Sequence, residues 1–229
     1  EQKKTIKSKQ AIVRLLIDVA DKYETTFSDW SAESELTKLQ FGRSGKIVYP
    51  SPLFMEAMLI SLKANILTRG GFNIFCGSNS SSKFRKVSSA ICTIYDGGRA
   101  FSLMGDSLIT FNGMIKGMCL GSMAKELYHL GIDNFSINAG NGDIVRTDTF
   151  PYASKKKLKK IHFVSRSHLY QHVDVGWFEH IKTENIVLEN NMGCVSLDLC
   201  IEDIENANLL GALCDAFSTA YVASNGWYN

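Results

Sequence analysis

Two oxygen-bearing side chains near the C-terminus are spaced so that they share one helix face. Asp215 and Thr219 lie four residues apart in an apolar segment, and residues four apart on a helix are neighbours. A carboxylate and a hydroxyl suit Mg²⁺, a hard cation that prefers oxygen ligands and completes its shell with water or phosphate oxygens. The pattern indicates a magnesium site, and its structural alternative is an exposed polar stripe on an amphipathic helix.

Two other segments offer contacts for a phosphate group. Lys116 follows Gly113 at the start of a helical pattern, where its ammonium group and the helix-terminal N–H groups can bind an anion together. Residues 138–142 are mostly small, and glycine admits close approach of a ligand because it lacks a Cβ atom. An ordinary surface lysine and a plain hairpin turn are the structural alternatives. The candidate ligand contacts are Lys116, Asn138, Ala139, Gly140, Gly142 and Asp143.

One histidine and one tryptophan complete the set of candidate residues. His180 follows an aromatic stretch on a predicted strand, and a histidine there can act as a general acid or base or orient a phosphate. Trp30 can stack on a flat ring. A structural histidine and a core aromatic residue are the corresponding alternatives.

Hydrophobic periodicity places these residues on a mixture of helices and strands. Helices are predicted over 7–24, 53–68, 118–130 and 204–223, and Ser51 is expected to cap the second with Pro52 in its first position. A polar turn or short helix is predicted over 31–39. Strands are predicted over 47–49, 87–95, 99–104, 107–111, 134–138, 143–147, 161–164, 177–181 and 194–200. This order predicts one α+β domain over residues 1–229, with mostly antiparallel sheets flanked by helices.

The composition is that of a globular protein and argues against nucleic-acid binding and membrane spanning. The chain has 229 residues, 45% hydrophobic and 21% charged, which is ordinary for a globular protein with a substantial core. Its formal net charge of +2 argues against a general nucleic-acid binder, which usually has a strongly basic face. No apolar run approaches the roughly 20 residues of a membrane span.

The spacing of the cysteines and the identity of the first residue give expectations about the cellular compartment. None of the six cysteines has CxxC spacing, which argues against a zinc or thioredoxin-type site. We expect most of them, among them Cys92, Cys119, Cys200 and Cys214, to be buried free thiols, which favours a reducing compartment. Because the chain starts at Glu1 rather than Met, we also expect that an N-terminal piece, which can include a signal peptide, precedes it.

Five segments, taken in order, resemble the ApbE family of FAD:protein FMN transferases over almost the whole chain. The family pattern F-S-x-Y-x-x-x-S-E-L-x-x-L-N matches residues 27–40, and T-G-G-A-F-D matches residues 68–73. D-L-G-G-I-A-K-G matches residues 110–117, and N-A-G-G-D-I matches residues 138–144 with one residue extra. A-D-A-L-(S/A)-T-A matches residues 214–220, and the order and spacing make the combination specific.

The resemblance implies an activity. FAD binds with Mg²⁺ at its pyrophosphate, a threonine hydroxyl on an acceptor flavoprotein attacks the FMN-side phosphorus, and AMP leaves. It further implies that Asp215 and Thr219 hold the metal, that Lys116 meets the phosphates, and that His180 takes the threonine proton. Trp30, at the family's tyrosine, is expected against the isoalloxazine or at the mouth of its pocket, and Asn73, at the end of the T-G-G-A-F-D segment, is expected among the cofactor contacts. The family also implies a periplasmic, membrane-anchored protein, with the cytoplasm as the alternative.

The sequence departs from the family at specific positions. Asn73 and Thr110 stand where the family has aspartates, and Asn112 stands where it has glycine. The family's D-P-x-T-G, which would follow His180, is replaced by residues 182–186, Lys-Thr-Glu-Asn-Ile. A flavin-binding module of the same fold without transfer activity is therefore one alternative function, and an FAD pyrophosphatase is another. The missing carboxylates separate the module from the transferase, because transfer needs a fully neutralised pyrophosphate and flavin binding does not.

Overall fold

The chain is described by a computed structural model that covers residues 8–42, 45–76, 91–105, 108–140, 142–148, 160–168, 186–189 and 192–223. Its helices are α1 (Lys9–Phe27), α2 (Glu35–Gly42), α3 (Pro52–Leu67), α4 (Ile115–His129) and α5 (Ala207–Ala223). The four long predicted helices are confirmed to within one turn, and the polar segment after residue 31 forms the short helix α2. Within these ranges, no helix is long and apolar enough to cross a membrane.

The strands form two antiparallel sheets. A hairpin is made by β1 (Ile91–Tyr95) and β2 (Ala100–Met104). The larger sheet has the order β3-β4-β5-β7-β6 and consists of β3 (Ser136–Asn138), β4 (Ile144–Thr147), β5 (Lys160–His168), β6 (Ile186–Glu189) and β7 (Met192–Cys200). The predicted fold class, α+β with antiparallel sheets flanked by helices, is thereby confirmed.

Two predicted strands are wrong and one lies outside the described residues. The segment 47–49 contributes only an isolated bridge between Val48 and Phe101. Residues 109–111 are not a strand, because the Phe111 carbonyl accepts the N–H groups of Met114 and Ile115 and so begins the turn into α4. The predicted strand 177–181 lies outside the described residues.

Local signals explain the start of α3 and the end of α4. Ser51 Oγ accepts the N–H of Phe54 at 3.3 Å, and Pro52 occupies the first helical turn, as predicted. Glu35 also accepts the Ser51 hydroxyl at 2.6 Å, which ties α2 to this cap. After α4, Gly131 adopts a φ of 77°, a left-handed conformation that glycine allows without steric strain.

Helices α4 and α5 lie between two hydrophobic clusters and contact each other closely. Met118 faces the cluster of α1, α3 and β2, whereas Leu120 and Leu127 face the five-stranded sheet. A methyl group placed on Gly117 would overlap the carbonyl oxygen of Gly211. The backbones therefore pack against each other directly, and this contact sets where the start of α4 lies relative to α5.

The cysteine prediction is correct in part. Among the described residues Cys92, Cys119, Cys194, Cys200 and Cys214 are free thiols. Only Cys214 of these is fully buried, with its Sγ 3.2 Å from the Val195 carbonyl oxygen, and Cys200 is exposed rather than buried. Cys200 ends β7 at an outward position of the alternating strand, which is why its apolar neighbours did not predict its exposure.

Candidate active site

The turn before α4 is where three of the sequence segments meet. A Cβ atom built on Gly113 would lie 2.8 Å from the Cγ2 of Thr219 and 3.0 Å from the ring of Phe72. The Thr219 hydroxyl donates to the Gly113 carbonyl oxygen at 3.2 Å. A larger residue at position 113 would force Thr219 or Phe72 to shift, and the glycine thus lets this turn lie against both the segment around Phe72 and the C-terminal helix α5.

The hairpin between β3 and β4 carries an acidic side chain to the start of α4. The Ala139 N–H donates to the Asp143 carbonyl oxygen at 2.9 Å, and Gly140 takes a φ of 83° at the turn. Asp143 is almost fully buried, and its Oδ2 lies 3.0 Å from Lys116 Nζ. The segment thus forms a hairpin turn, and this turn pairs a buried carboxylate with a half-exposed lysine.

Asp215 is buried beside this ion pair. It is 3% exposed, and its Oδ2 accepts the N–H of Gly117 at 3.1 Å. Burial first, and then the nearby charge of Asp143, raise the pKa of Asp215, which is about 7 instead of the ordinary 3.8. The Gly117 N–H and the Lys116 ammonium oppose that shift. The exposed-stripe alternative for Asp215 is therefore wrong, because the carboxylate faces the interior.

Two serines connect the carboxylates. Ser165, on β5, donates to Asp143 Oδ1 and lies 3.4 Å from Asp215 Oδ1. Its Oγ is 2.8 Å from the Ser218 Oγ, and Ser218 donates to the Asp215 carbonyl at 2.9 Å. Both serines are buried, so these hydrogen bonds fix the side chains around two carboxylates that repel each other.

The sequence did not single out these serines, although it contained signals for them. Ser165 occupies an inward position of a strand on which Ile161 and Phe163 are also buried, and a polar residue at such a position needs partners. Ser218 lies about one helical turn after Asp215, on a helix whose nearest inward neighbours, Ala212, Ala216 and Ala220, are small. Once the helix is predicted from the sequence, the three-residue spacing of Asp215 and Ser218 indicates that the two side chains lie on the same side of it.

Four other predicted residues, Asn73, Asn138, Gly142 and Trp30, are among the described residues. Asn73 Oδ1 accepts the Phe75 N–H at 2.9 Å and caps a short helical turn. Gly142 lies against β5, because a Cβ there would be 2.6 Å from the Arg166 carbonyl oxygen, so its missing side chain serves packing. Asn138 ends β3, and Trp30 is 93% exposed, which excludes a core role for Trp30. His180 lies outside the described residues.

Three residues at or next to the start of α4 carry oxygen donors of the kinds that a hard cation binds. Asp215 supplies a carboxylate, Thr219 a hydroxyl and Gly113 a carbonyl, and the last two are already in hydrogen-bond contact. Oxygen donors of these three kinds are those that Mg²⁺ takes while keeping sites for water or phosphate. Within the described part of the chain, no three His, Cys, Asp or Glu side chains cluster around one metal position.

Solved structures match this arrangement of helices and sheets over nearly the whole chain. The flavinyl transferase ApbE of Pseudomonas stutzeri, in its apo form, aligns with 95% of this chain and 78% of its own, at 14% identity and a TM-score of 0.63. The fold is that of the ApbE flavin transferases. For the Vibrio cholerae flavin transferase ApbE the coverages are 97% and 84%, the identity 14% and the TM-score 0.61.

A third ApbE structure is similar to this chain to the same degree. The ApbE protein of Thermotoga maritima aligns with 97% of this chain and 81% of its own, at 15% identity and a TM-score of 0.62. No protein-family model matches the sequence, and no curated protein matches it either. The ApbE fold is therefore retained here at a very low level of sequence identity, and it brings Lys116, Asp143, Asp215 and Thr219 to one end of α4.

Proposed function

We propose that this chain is a Mg²⁺-dependent FAD:protein FMN transferase that moves FMN from FAD to a threonine of an acceptor flavoprotein and releases AMP. The observation that carries the proposal is the buried pair of Asp143 and Asp215 at the start of α4, with Lys116 paired to the first of them. A buried carboxylate with a raised pKa and a charged neighbour, as Asp215 is, is typical of a functional site. Their position in an ApbE fold supports flavin transfer over other chemistry.

The residues have distinct roles in this proposal. Asp215, Thr219 and the Gly113 carbonyl would hold Mg²⁺, which would supply positive charge against the pyrophosphate of FAD. Lys116 adds a second positive charge near the phosphates, and Asp143 holds the lysine side chain in place through its 3.0 Å ion pair. Ser165 keeps Asp143 and Asp215 in fixed orientations, so that the charged groups need little rearrangement when FAD binds.

The transfer step conserves atoms without a further reactant. The threonine oxygen of the acceptor forms a bond to the FMN-side phosphorus, and the bond from that phosphorus to the oxygen bridging to AMP breaks. AMP leaves with the bridging oxygen, and FMN remains joined to the threonine as a phosphoester. The threonine proton has to leave as the bond forms, and we assign its acceptance to His180, because histidine titrates near neutral pH.

AMP release tests the proposal. The protein is incubated with FAD, Mg²⁺ and a threonine-bearing acceptor domain from a flavin-dependent redox protein, and AMP and the acceptor mass are measured. We expect slow AMP release that EDTA stops, with an acceptor mass gain equal to one FMN. His180→Ala should lower the rate at least about tenfold, as for loss of a general acid or base. Bound flavin without AMP would favour the binding module, and AMP without a mass gain would favour the pyrophosphatase.

The exposed Trp30 gives a test of where the flavin binds. Because its indole is 93% exposed, it has room to lie against the isoalloxazine ring, and stacking would quench its fluorescence. We expect FAD titration to quench tryptophan emission, and the Trp30→Phe variant to lose most of that quenching. Trp177→Phe and Trp227→Phe, which replace the other two tryptophans, are the matched controls. Equal quenching in the Trp30→Phe variant would place the flavin away from this residue.

A further inference from the structure

The carboxylate of Asp29 joins two segments that are far apart in the sequence. Its Oδ2 accepts the Thr110 hydroxyl at 2.8 Å and the Asn112 side-chain amide at 2.7 Å. Asp29 lies directly after α1 and before Trp30, whereas Thr110 and Asn112 belong to the turn that leads into α4. One half-buried carboxylate thus connects the loop of the exposed tryptophan to the turn of the candidate active site.

Both partners of Asp29 are positions at which this chain departs from the ApbE pattern. In D-L-G-G the first position is an aspartate and the third a glycine, and here they are Thr110 and Asn112. Neither an ionised aspartate nor a glycine has a side-chain hydrogen-bond donor, but threonine and asparagine do. The two substitutions therefore create the donors that a carboxylate at position 29 needs, while they remove the carboxylate at position 110.

The hydrogen bonds of Asp29 affect the proposed metal site because Asn112 and Gly113 are adjacent in the backbone. Asn112 immediately precedes Gly113, whose carbonyl oxygen accepts the Thr219 hydroxyl at 3.2 Å. The Thr110 N–H also donates to the Ile74 carbonyl at 2.8 Å, so the turn is held on one side by backbone and on the other by Asp29. A hydrogen bond to an ionised carboxylate is roughly twice as strong as one between neutral groups. Asp29 is thus well suited to fix the direction of the Gly113 carbonyl.

We propose that Asp29 is a positioning residue that supplies from the loop after α1 the carboxylate missing at Thr110, and so orients the Gly113 carbonyl toward Mg²⁺. This inference rests on the proposed function. Groups that hold a metal ligand in place typically change metal affinity or activity about 10–100-fold when they are replaced. The expected consequence is a weaker response to Mg²⁺, with FAD turnover recovering when Mg²⁺ is saturating.

The experiment moves the carboxylate between the two positions. In Asp29→Asn, the Mg²⁺ concentration for half-maximal AMP release should rise about tenfold, and the rise in melting temperature caused by Mg²⁺ in the presence of FAD should shrink. The double variant Asp29→Asn with Thr110→Asp restores a carboxylate at the motif position and should restore both responses. Glu33→Gln, which removes an exposed carboxylate from the same segment, is the matched control and should leave both unchanged.

The outcomes separate this inference from the function on which it rests. If the unchanged protein shows neither Mg²⁺-dependent AMP release nor Mg²⁺ stabilisation, the proposed function is overturned and the role of Asp29 with it. If the unchanged protein responds to Mg²⁺ and Asp29→Asn responds equally, only the role of Asp29 is overturned. Where Asp29→Asn does not fold, the double variant decides, because it retains a carboxylate in the contact, and a weakened Mg²⁺ response in it contradicts the inference.

Discussion

Replacing Asp215 by asparagine is expected to abolish Mg²⁺-dependent AMP release from FAD while the protein stays folded. Asparagine keeps the shape of the side chain and an oxygen that can accept the Gly117 N–H, which the native carboxylate accepts at 3.1 Å. It removes the negative charge that the proposed metal site needs, because Mg²⁺ is bound by oxygen ligands with carboxylates among them. Rates at increasing Mg²⁺ provide the measurement, and an unchanged rate at saturating Mg²⁺ would show that Asp215 is not a ligand.

The same variant should gain stability when no metal is present, which separates lost function from lost structure. The folded state raises the pKa of Asp215 from 3.8 to about 7, so the folded protein binds the proton more tightly than the unfolded chain does. For such a group, stability falls as the pH rises from the lower value to the higher one, and the full penalty remains above it. Asparagine cannot ionise and so removes this penalty.

Urea unfolding in EDTA provides the measurement. At about pH 8 we expect a larger free energy of unfolding for Asp215→Asn than for the unchanged protein, by at most about 4 kcal/mol for a shift of roughly three pKa units. At about pH 4 the two proteins should differ little, because Asp215 is then largely protonated in the folded state. A variant that is less stable than the unchanged protein at the higher pH would contradict the burial of an ionised, uncompensated carboxylate.

Gly117→Ala is expected to destabilise the protein strongly, although helix propensity alone predicts the opposite. Alanine in a helix interior is favoured over glycine by about 1 kcal/mol. At this position, however, the added methyl group would overlap the Gly211 carbonyl and lie 2.8 Å from the Cβ of Asp215. Both neighbours belong to α5, so the two helices would have to move apart. We expect a loss of about 3 kcal/mol, at the upper end for overpacking.

Denaturant unfolding of Gly117→Ala checks this expectation, with a helix control from the same element. Glu126→Ala also lies on α4, at a half-buried position, and should change the free energy of unfolding by less than about 0.5 kcal/mol. If Gly117→Ala does not fold well enough for unfolding measurements, its refolding yield should be lower than that of Glu126→Ala. A Gly117→Ala protein that is more stable than the unchanged chain would mean that α4 and α5 are not in backbone contact.

The features that the sequence determined by itself are those that depend on neighbouring residues. Helical periodicity identified α1, α3, α4 and α5, and Ser51 with Pro52 marked the start of α3, because capping acts within one turn. The small residues after β3 predicted the hairpin turn for the same reason. The spacing of Asp215 and Thr219 also placed two oxygens on one face of α5, since a helix brings residues four apart together.

Predictions failed where distant parts of the chain determine the conformation. Residues 107–111 have the composition of a strand, yet Thr110 bonds to the Ile74 carbonyl and to Asp29, and Phe111 begins a turn. For Trp30 only the core alternative fails, because the residue follows α1 on a loop and is 93% exposed. Propensity is a weak prior at such places, because contacts with distant residues outweigh it.

Tertiary structure alone decided the chemistry of the candidate site. The Gly117 N–H contacts Asp215 at a separation of 98 residues in sequence, and Asp29 contacts Thr110 at a separation of 81. Both contacts depend on how closely elements pack, and for the first the missing side chains of Gly117 and Gly211 set that distance. The sequence showed which oxygen and nitrogen atoms the chain possesses. Packing determined that the carboxylates of Asp143 and Asp215 lie away from water and close to each other. Their charges therefore repel, and they share Ser165 as a hydrogen-bond partner.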